Sequence, residues 1–133
     1  MDVAQLKNEL LNWRLTRYKV INLIIGFAAL LFLEFVARAY YRPYIYSNNI
    51  FDFHIADTLG NSLGTIAGVF ILVGILTSDR RQGLSMVVIV TIAFVVYEIG
   101  HPLLGKPIDI WDVIATVITG AVSYFVVGRI GKP

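Results

Sequence analysis

Four stretches of the sequence, at about residues 20–39, 55–77, 83–99 and 110–128, are almost wholly apolar. About 20 residues rising 1.5 Å each cross the hydrocarbon core of a bilayer, so each stretch has close to spanning length. In hydrocarbon, every backbone N–H and C=O must find its partner within the protein, and a segment of this length does so as an α-helix. The expected fold is therefore all-α: a polytopic membrane protein with four transmembrane helices. Composition points the same way. With 57% hydrophobic and 15% charged residues, and a mean hydropathy of +0.73, too little polar surface remains to coat a water-soluble domain.

The remainder divides the chain into an N-terminal segment, 1–19, and a four-helix domain, 20–133. In "MDVAQLKNELLNWRLTRYK" the residues Val3, Leu6, Leu10, Trp13 and Arg17 or Tyr18 recur at helical spacing, while Lys7, Arg14 and Lys19 lie mostly elsewhere on the wheel. This pattern predicts an interfacial amphipathic helix leading into the first span, with Trp13 and Tyr18 at headgroup depth. The segment is too polar for a signal peptide, and the first span lacks a small-residue cleavage pattern. Eight of the eleven basic residues (Lys7, Arg14, Arg17, Lys19, Arg80, Arg81, Arg129 and Lys132) fall on one side of the four spans. Only Arg38, Arg42 and Lys106 fall on the other. The positive-inside rule then places both termini and the "TSDRRQG" turn in the cytoplasm. The expected location is a bacterial or archaeal cytoplasmic membrane.

The chain also repeats itself. Setting "HIADTLGNSLGTIAGVF" (54–70) over "DIWDVIATVITGAVSYF" (109–125) pairs His54 with Asp109, Asp57 with Asp112, Asn61 with Thr116 and Gly64 with Thr119. Upstream of the two copies stand Glu34 and Glu98. Each half reads as a two-span hairpin, so the copies share one orientation and form a parallel repeat. Gly60, Gly64 and Gly68 form a small-residue frame suited to close approach of another helix.

This arrangement gathers Glu34, His54, Asp57, Glu98, His101, Asp109 and Asp112 toward an outward-facing pocket. Three pairs are spaced i,i+3: His54 with Asp57, Glu98 with His101, and Asp109 with Asp112. On a helix that spacing puts both side chains on one face. Part of the charge has a structural account. Arg38 and Arg42 are placed to pair with Glu34 and Asp52, Lys106 with Glu98 or Asp109, and Asp109 stands where an N-cap is expected. Six acids against three bases on that side leave carboxylates over, and neighbouring carboxylates need a cation or a shared proton.

Ionisable groups at membrane depth point to function. One reading is a divalent metal, Zn, Mn or Fe, held by His54, Asp57, Glu98, His101, Asp109 and Asp112, a mixed imidazole and carboxylate set. A metal-activated water would then act on a lipid headgroup, with Glu98 and Asp112 as catalytic groups. The other reading is recognition of a cationic or polyol group without bond cleavage. Arg38, Glu34, Asn61, Lys106 and Thr116 would line or brace the pocket in either case. Nothing supports a serine, threonine or lysine nucleophile, an HExxH zinc site or a glycine-rich phosphate loop. Cysteine is absent, which excludes disulfides and thiolate metal sites. A net charge of +2 without a basic stripe excludes nucleic acid as a partner.

The element Asp-x-x-x-Asn-x-x-Gly in "DTLGNSLG", with Asp57, Asn61 and Gly64 in place, resembles the VanZ-like membrane proteins. On that likeness Glu98 corresponds to the glutamate before the second copy, Lys106 to the base of the loop and Asp112 to the second aspartate. In the second copy Thr116 and Thr119 replace Asn and Gly; His101 stands where the family tends to have glutamine, and Lys106 replaces an arginine. The resemblance spans roughly residues 20–128. It implies a four-span protein of the cell envelope, in a family associated with resistance to glycopeptide antibiotics such as teicoplanin. The expected function is binding or processing of an envelope lipid or its headgroup, with or without a divalent metal. The alternatives are a non-catalytic lipid- or antibiotic-interacting protein, a homo-oligomer, or a partner subunit of a membrane complex.

Overall fold

The computed structural model describes residues 3–130. Lys132, which entered the charge argument, lies outside the described residues, as does the side chain of Leu6. Helix α1 spans Val3–Leu11. Helix α2 runs unbroken through Arg17–Ser47, and α3, α4 and α5 are Ile55–Leu76, Arg80–Ile99 and Ile110–Ile130. The four helices α2 to α5 are each long and apolar enough to cross a membrane. No strand occurs among the described residues.

Helix ends follow local chemistry. The N-terminal helix stops at Leu11 instead of continuing into the first span. Thr16 starts α2 afresh, its hydroxyl accepting from the Lys19 N–H at 3.3 Å. Asp79 caps α4 by accepting from the Gln82 N–H at 2.9 Å, and Gln82 Oε1 reaches back to the Ser78 N–H. These side chains satisfy N–H groups that a helix start leaves without intrahelical partners.

Helix α2 is longer than its apolar stretch, and its middle, Leu33–Tyr41, is wound as a π-helix. The wider winding ends just before Pro43, the second residue of the α-helical part Arg42–Ser47. A proline there has no N–H to give to the ladder, and its ring crowds the carbonyl four residues back. A π turn shifts that ladder by one residue. Only Leu33 and Ala37 of the π segment are buried.

The bundle is antiparallel, and glycines set its closest approaches. A methyl group at Gly26 would meet the Ile71 backbone nitrogen at 2.8 Å and the Ala67 carbonyl at 3.2 Å. One at Gly74 would meet Leu23 and the Lys19 carbonyl. Gly120 lies against Thr91, and Gly128 against Leu84 and Arg80, which pairs α5 antiparallel with α4. Helix α3 is the hub, touching α2, α4 and α5. Along its length the bundle has two characters. Toward the termini, Val69, Phe70, Val73, Met86, Val87, Val90 and Val127 form a dry core. Toward the 48–54 and 100–109 connections, glycines and polar groups replace these side chains.

The glycine frame on α3 is split by this change. Gly68 faces the Phe94 ring, which an added methyl would meet at 2.8 Å, whereas a methyl at Gly60 or Gly64 would meet nothing within 4 Å. Close helix approach therefore explains Gly68 but not the other two. Replacing Gly26 by alanine forces a methyl into backbone that cannot yield, and should cost about 1–3 kcal/mol. Gly64→Ala should cost none. Thermal unfolding in detergent compares the two, and equal losses would refute this account of the packing.

Candidate functional site

The acidic and histidine residues lie in the half of the bundle that carries the two connections, and they separate by how completely their oxygens are satisfied. Glu34 is paired on the helix surface. Its Oε1 accepts from Arg38 Nη1 at 2.6 Å, with both side chains about half exposed. Asp52 is consumed structurally, its Oδ2 accepting from the Ala56 N–H at 2.7 Å and from the Tyr41 hydroxyl at 3.1 Å. It thereby ties α2 to the first turn of α3.

Asp57 is also fully engaged. The Tyr46 hydroxyl donates to its Oδ1 at 2.5 Å, and His54 Nδ1 lies 3.2 Å from its Oδ2. Arg42 Nη2 donates in turn to the Tyr46 oxygen at 3.3 Å, so a guanidinium backs the chain. His54 holds a left-handed conformation, φ 63°, immediately before α3. Its ring stacks on Trp111 of α5, 5.4 Å between centroids and 12° between planes. Asp109 caps α5, with Oδ1 accepting from the Trp111 N–H at 2.9 Å. Lys106 is exposed and forms no ion pair among the described residues.

Glu98 and Asp112 differ from all of these. Glu98 is 5% exposed, and its Oε2 has no hydrogen-bond partner. His101 Nδ1 lies 3.3 Å from that oxygen, an ion-pair separation when the ring is protonated but not hydrogen-bond geometry. The His101 ring is set edge-on against Tyr97 at 5.0 Å. Asp112 Oδ1 is likewise buried without a partner. Asn61, Asp109, Glu98 and His101 are the polar and charged groups in its surroundings.

Between α3, α4 and α5 lies a cavity of about 430 Å³ with Glu98 in its wall. Helix α3 contributes Asn61, Thr65 and the two unobstructed glycines, Gly60 and Gly64. Helix α4 adds Phe94 and Tyr97, and α5 adds Thr116, which is 1% exposed. That volume falls within the range of small-molecule sites, roughly 300–1,000 Å³, and the mixture of apolar wall and few polar groups is typical of them. Glu98 is the penultimate residue of α4, so its charge sits at the negative end of that helix dipole, where a cation is favoured.

The structure thus brings Asn61, Glu98 and Thr116 together around the cavity, with His101 beside Glu98, whereas Asp112 is not among the residues that line it. It holds His54 and Asp57 in a separate bonded set and leaves Glu34 and Arg38 on the surface. Among the described residues, no three His, Asp or Glu side chains converge as a group able to hold a metal ion. Residues that spacing did not single out are Tyr46, Phe94 and Tyr97. Tyr46 reaches Asp57 across eleven residues of sequence, and nothing in the local pattern signals it. Comparison of the chain with protein-family models, curated proteins and solved structures finds no match in any of the three.

A buried acceptor without a partner costs about 1–3 kcal/mol. Removing the charge in Glu98→Gln should therefore raise stability in lipid-free detergent, read as a higher unfolding temperature. A drop of similar size would show that Glu98 is already satisfied and structural.

Proposed function

We propose that this is a small envelope-membrane protein whose cavity binds the headgroup of a membrane lipid. The observation that carries the reading is Glu98, a buried acid whose Oε2 accepts no hydrogen bond, among the residues lining a cavity that two glycines keep open. Glu34, Asp52 and Asp57, by contrast, each accept a hydrogen bond. Depth supports a headgroup. Glu98 lies in the last turn of α4, and Asp112 in the first turn of α5. The carboxylates thus sit near the membrane boundary while Thr65 and Phe94 reach further in. Ala93 and Tyr97 on the rim are exposed on the flank of the bundle, which gives a lipid lateral access.

Charge asymmetry supports a non-cytoplasmic cavity, with both termini in the cytoplasm. The VanZ-like likeness belongs to the same proposal, because Asn61, Gly64 and Glu98, on which it partly rests, all line the cavity. Glu98 acts here in binding, and a divalent ion is not required for that role.

Two measurements test the reading. Native mass spectrometry of the protein released from membranes should show retained phospholipid, reduced about tenfold in Glu98→Gln, as expected for loss of one charge-assisted contact. Equal retention by the variant would remove the site from lipid binding. For orientation, Ser47→Cys should react with an impermeant maleimide on intact cells, and Ser78→Cys only after permeabilisation. Labelling of position 78 from outside would reverse the placement of the cavity.

A further inference from the structure

We propose that α2 carries a second site, a cleft formed by Arg38 and Arg42 that takes the phosphate of a phospholipid in the leaflet on the side of the 48–54 connection. The two arginines stand four residues apart on the unbroken helix α2. With Pro43 and Tyr46 they line a pocket of about 240 Å³. It shares no lining residue with the Glu98 cavity, and among the described residues no carboxylate lines it. The site therefore stands apart from the headgroup reading of that cavity.

Both guanidiniums are already oriented. Arg42 Nη2 donates to the Tyr46 oxygen at 3.3 Å, and its guanidinium lies over the Tyr46 ring, 5.7 Å from the centroid. Tyr46 is fixed in turn by the bond from its hydroxyl to Asp57. Arg38 Nη1 donates to Glu34 Oε1 at 2.6 Å, with the Arg38 side chain 52% exposed. A guanidinium carries five N–H donors in a planar fork, and each of these bonds engages one terminal nitrogen. Donors remain on both forks, and two forks on one cleft match the oxygens of a phosphate. An exposed ion pair one turn apart contributes little by itself. A phosphate can therefore draw Arg38 away from Glu34 with little loss.

Depth identifies the anion. The apolar stretch of α2 ends at about residue 39, so Arg38 and Arg42 bracket its end. Tyr40, Tyr44 and Tyr46 are all exposed around them, and aromatic side chains of this kind gather at headgroup level. At that level the surface of a membrane helix meets a phosphate on every phospholipid, whatever the rest of the headgroup. Long basic side chains near the end of a span reach toward the same layer. A sugar or glycerol group would offer hydroxyls to the arginines but no charge to balance theirs.

The test is calorimetric titration of short-chain lipids into the full chain in a maltoside detergent. Dihexanoylphosphatidylglycerol and dihexanoylphosphatidylcholine both carry the phosphate, and dihexanoylglycerol lacks it. Arg38→Gln removes a side chain whose bond is to Glu34 on the helix surface, so it should unfold as cooperatively as the wild type. It should weaken both phospholipids about tenfold, as expected for loss of a charge-assisted contact, and leave dihexanoylglycerol unchanged. Arg42→Lys, which keeps the charge and loses the fork, should also weaken both. Glu34→Gln releases Arg38 and should strengthen both about threefold, a gain that a purely structural ion pair does not predict. The same arginine dependence should appear in a Glu98→Gln background, which separates this site from the cavity. Unchanged phospholipid affinity in Arg38→Gln and Arg42→Lys would overturn the site and leave the cavity untouched. A loss confined to phosphatidylglycerol would show attraction to net charge and overturn the phosphate assignment. Glycerol 3-phosphate should bind at least tenfold more weakly than either lipid. Equal affinity would make the ligand a soluble phosphate and overturn the lipid source.

Discussion

The hollow half of this bundle turns on one buried carboxylate whose Oε2 accepts no hydrogen bond from the chain. Glu98 is buried near the end of α4, at the negative pole of the helix, with a poorly aligned histidine beside it. Taking an ionised carboxylate out of water costs several kcal/mol unless charge and hydrogen bonds are returned to it. Elsewhere in the same half, the chain returns them with care. Asp57 receives a tyrosine hydroxyl at 2.5 Å and an imidazole, Asp52 a backbone N–H and a tyrosine, and Glu34 a guanidinium. The contrast separates acids that hold the structure together from acids that are held by it.

Much of the fold was legible because it rests on one-dimensional signals. Hydropathy fixes the four long helices, and short capping side chains fix where several of them start: Thr16, Asp79 and Asp109 each accept a backbone N–H at the head of a helix. Less legible were features set by a partner distant in sequence. The Tyr46–Asp57 bond depends on how α2 leans over α3, and the π winding before Pro43 depends on how a nine-residue segment accommodates that proline inside a packed helix. The separation of His54 and Asp57 from Glu98 and His101 is of the same kind. Both pairs have i,i+3 spacing, and only the stacking of His54 on Trp111 and the donation from Tyr46 set the first apart.

The glycines show most plainly why sequence left the site ambiguous. A small residue at every fourth position of a membrane helix reads as a contact surface, and Gly68 is one, with Phe94 pressed against it. Gly60 and Gly64 have the same spacing and the opposite meaning, since space lies where their side chains would be. Absence of a side chain permits either a neighbour or a void. Which of the two follows depends on the residue across the interface, and that is fixed only by the register of α3 against α4.

The two halves of the bundle are physically dependent on each other. A cavity and a buried carboxylate oxygen without a hydrogen bond both subtract from stability, and a chain of this size has few other places to recover it. The dry core of valines, Phe70 and Met86 toward the termini, together with the close α2–α3 contact at Gly26 and Gly74, holds the helices in register. They need not be held by contacts at the hollow end. Helix α4 can therefore place Glu98 beside a void without the void collapsing, because its position is set several turns away. A ligand entering the cavity has only to meet a carboxylate already in place. Preorganisation of that kind lets few contacts yield useful affinity, since the ordering cost is met by the fold and not by binding.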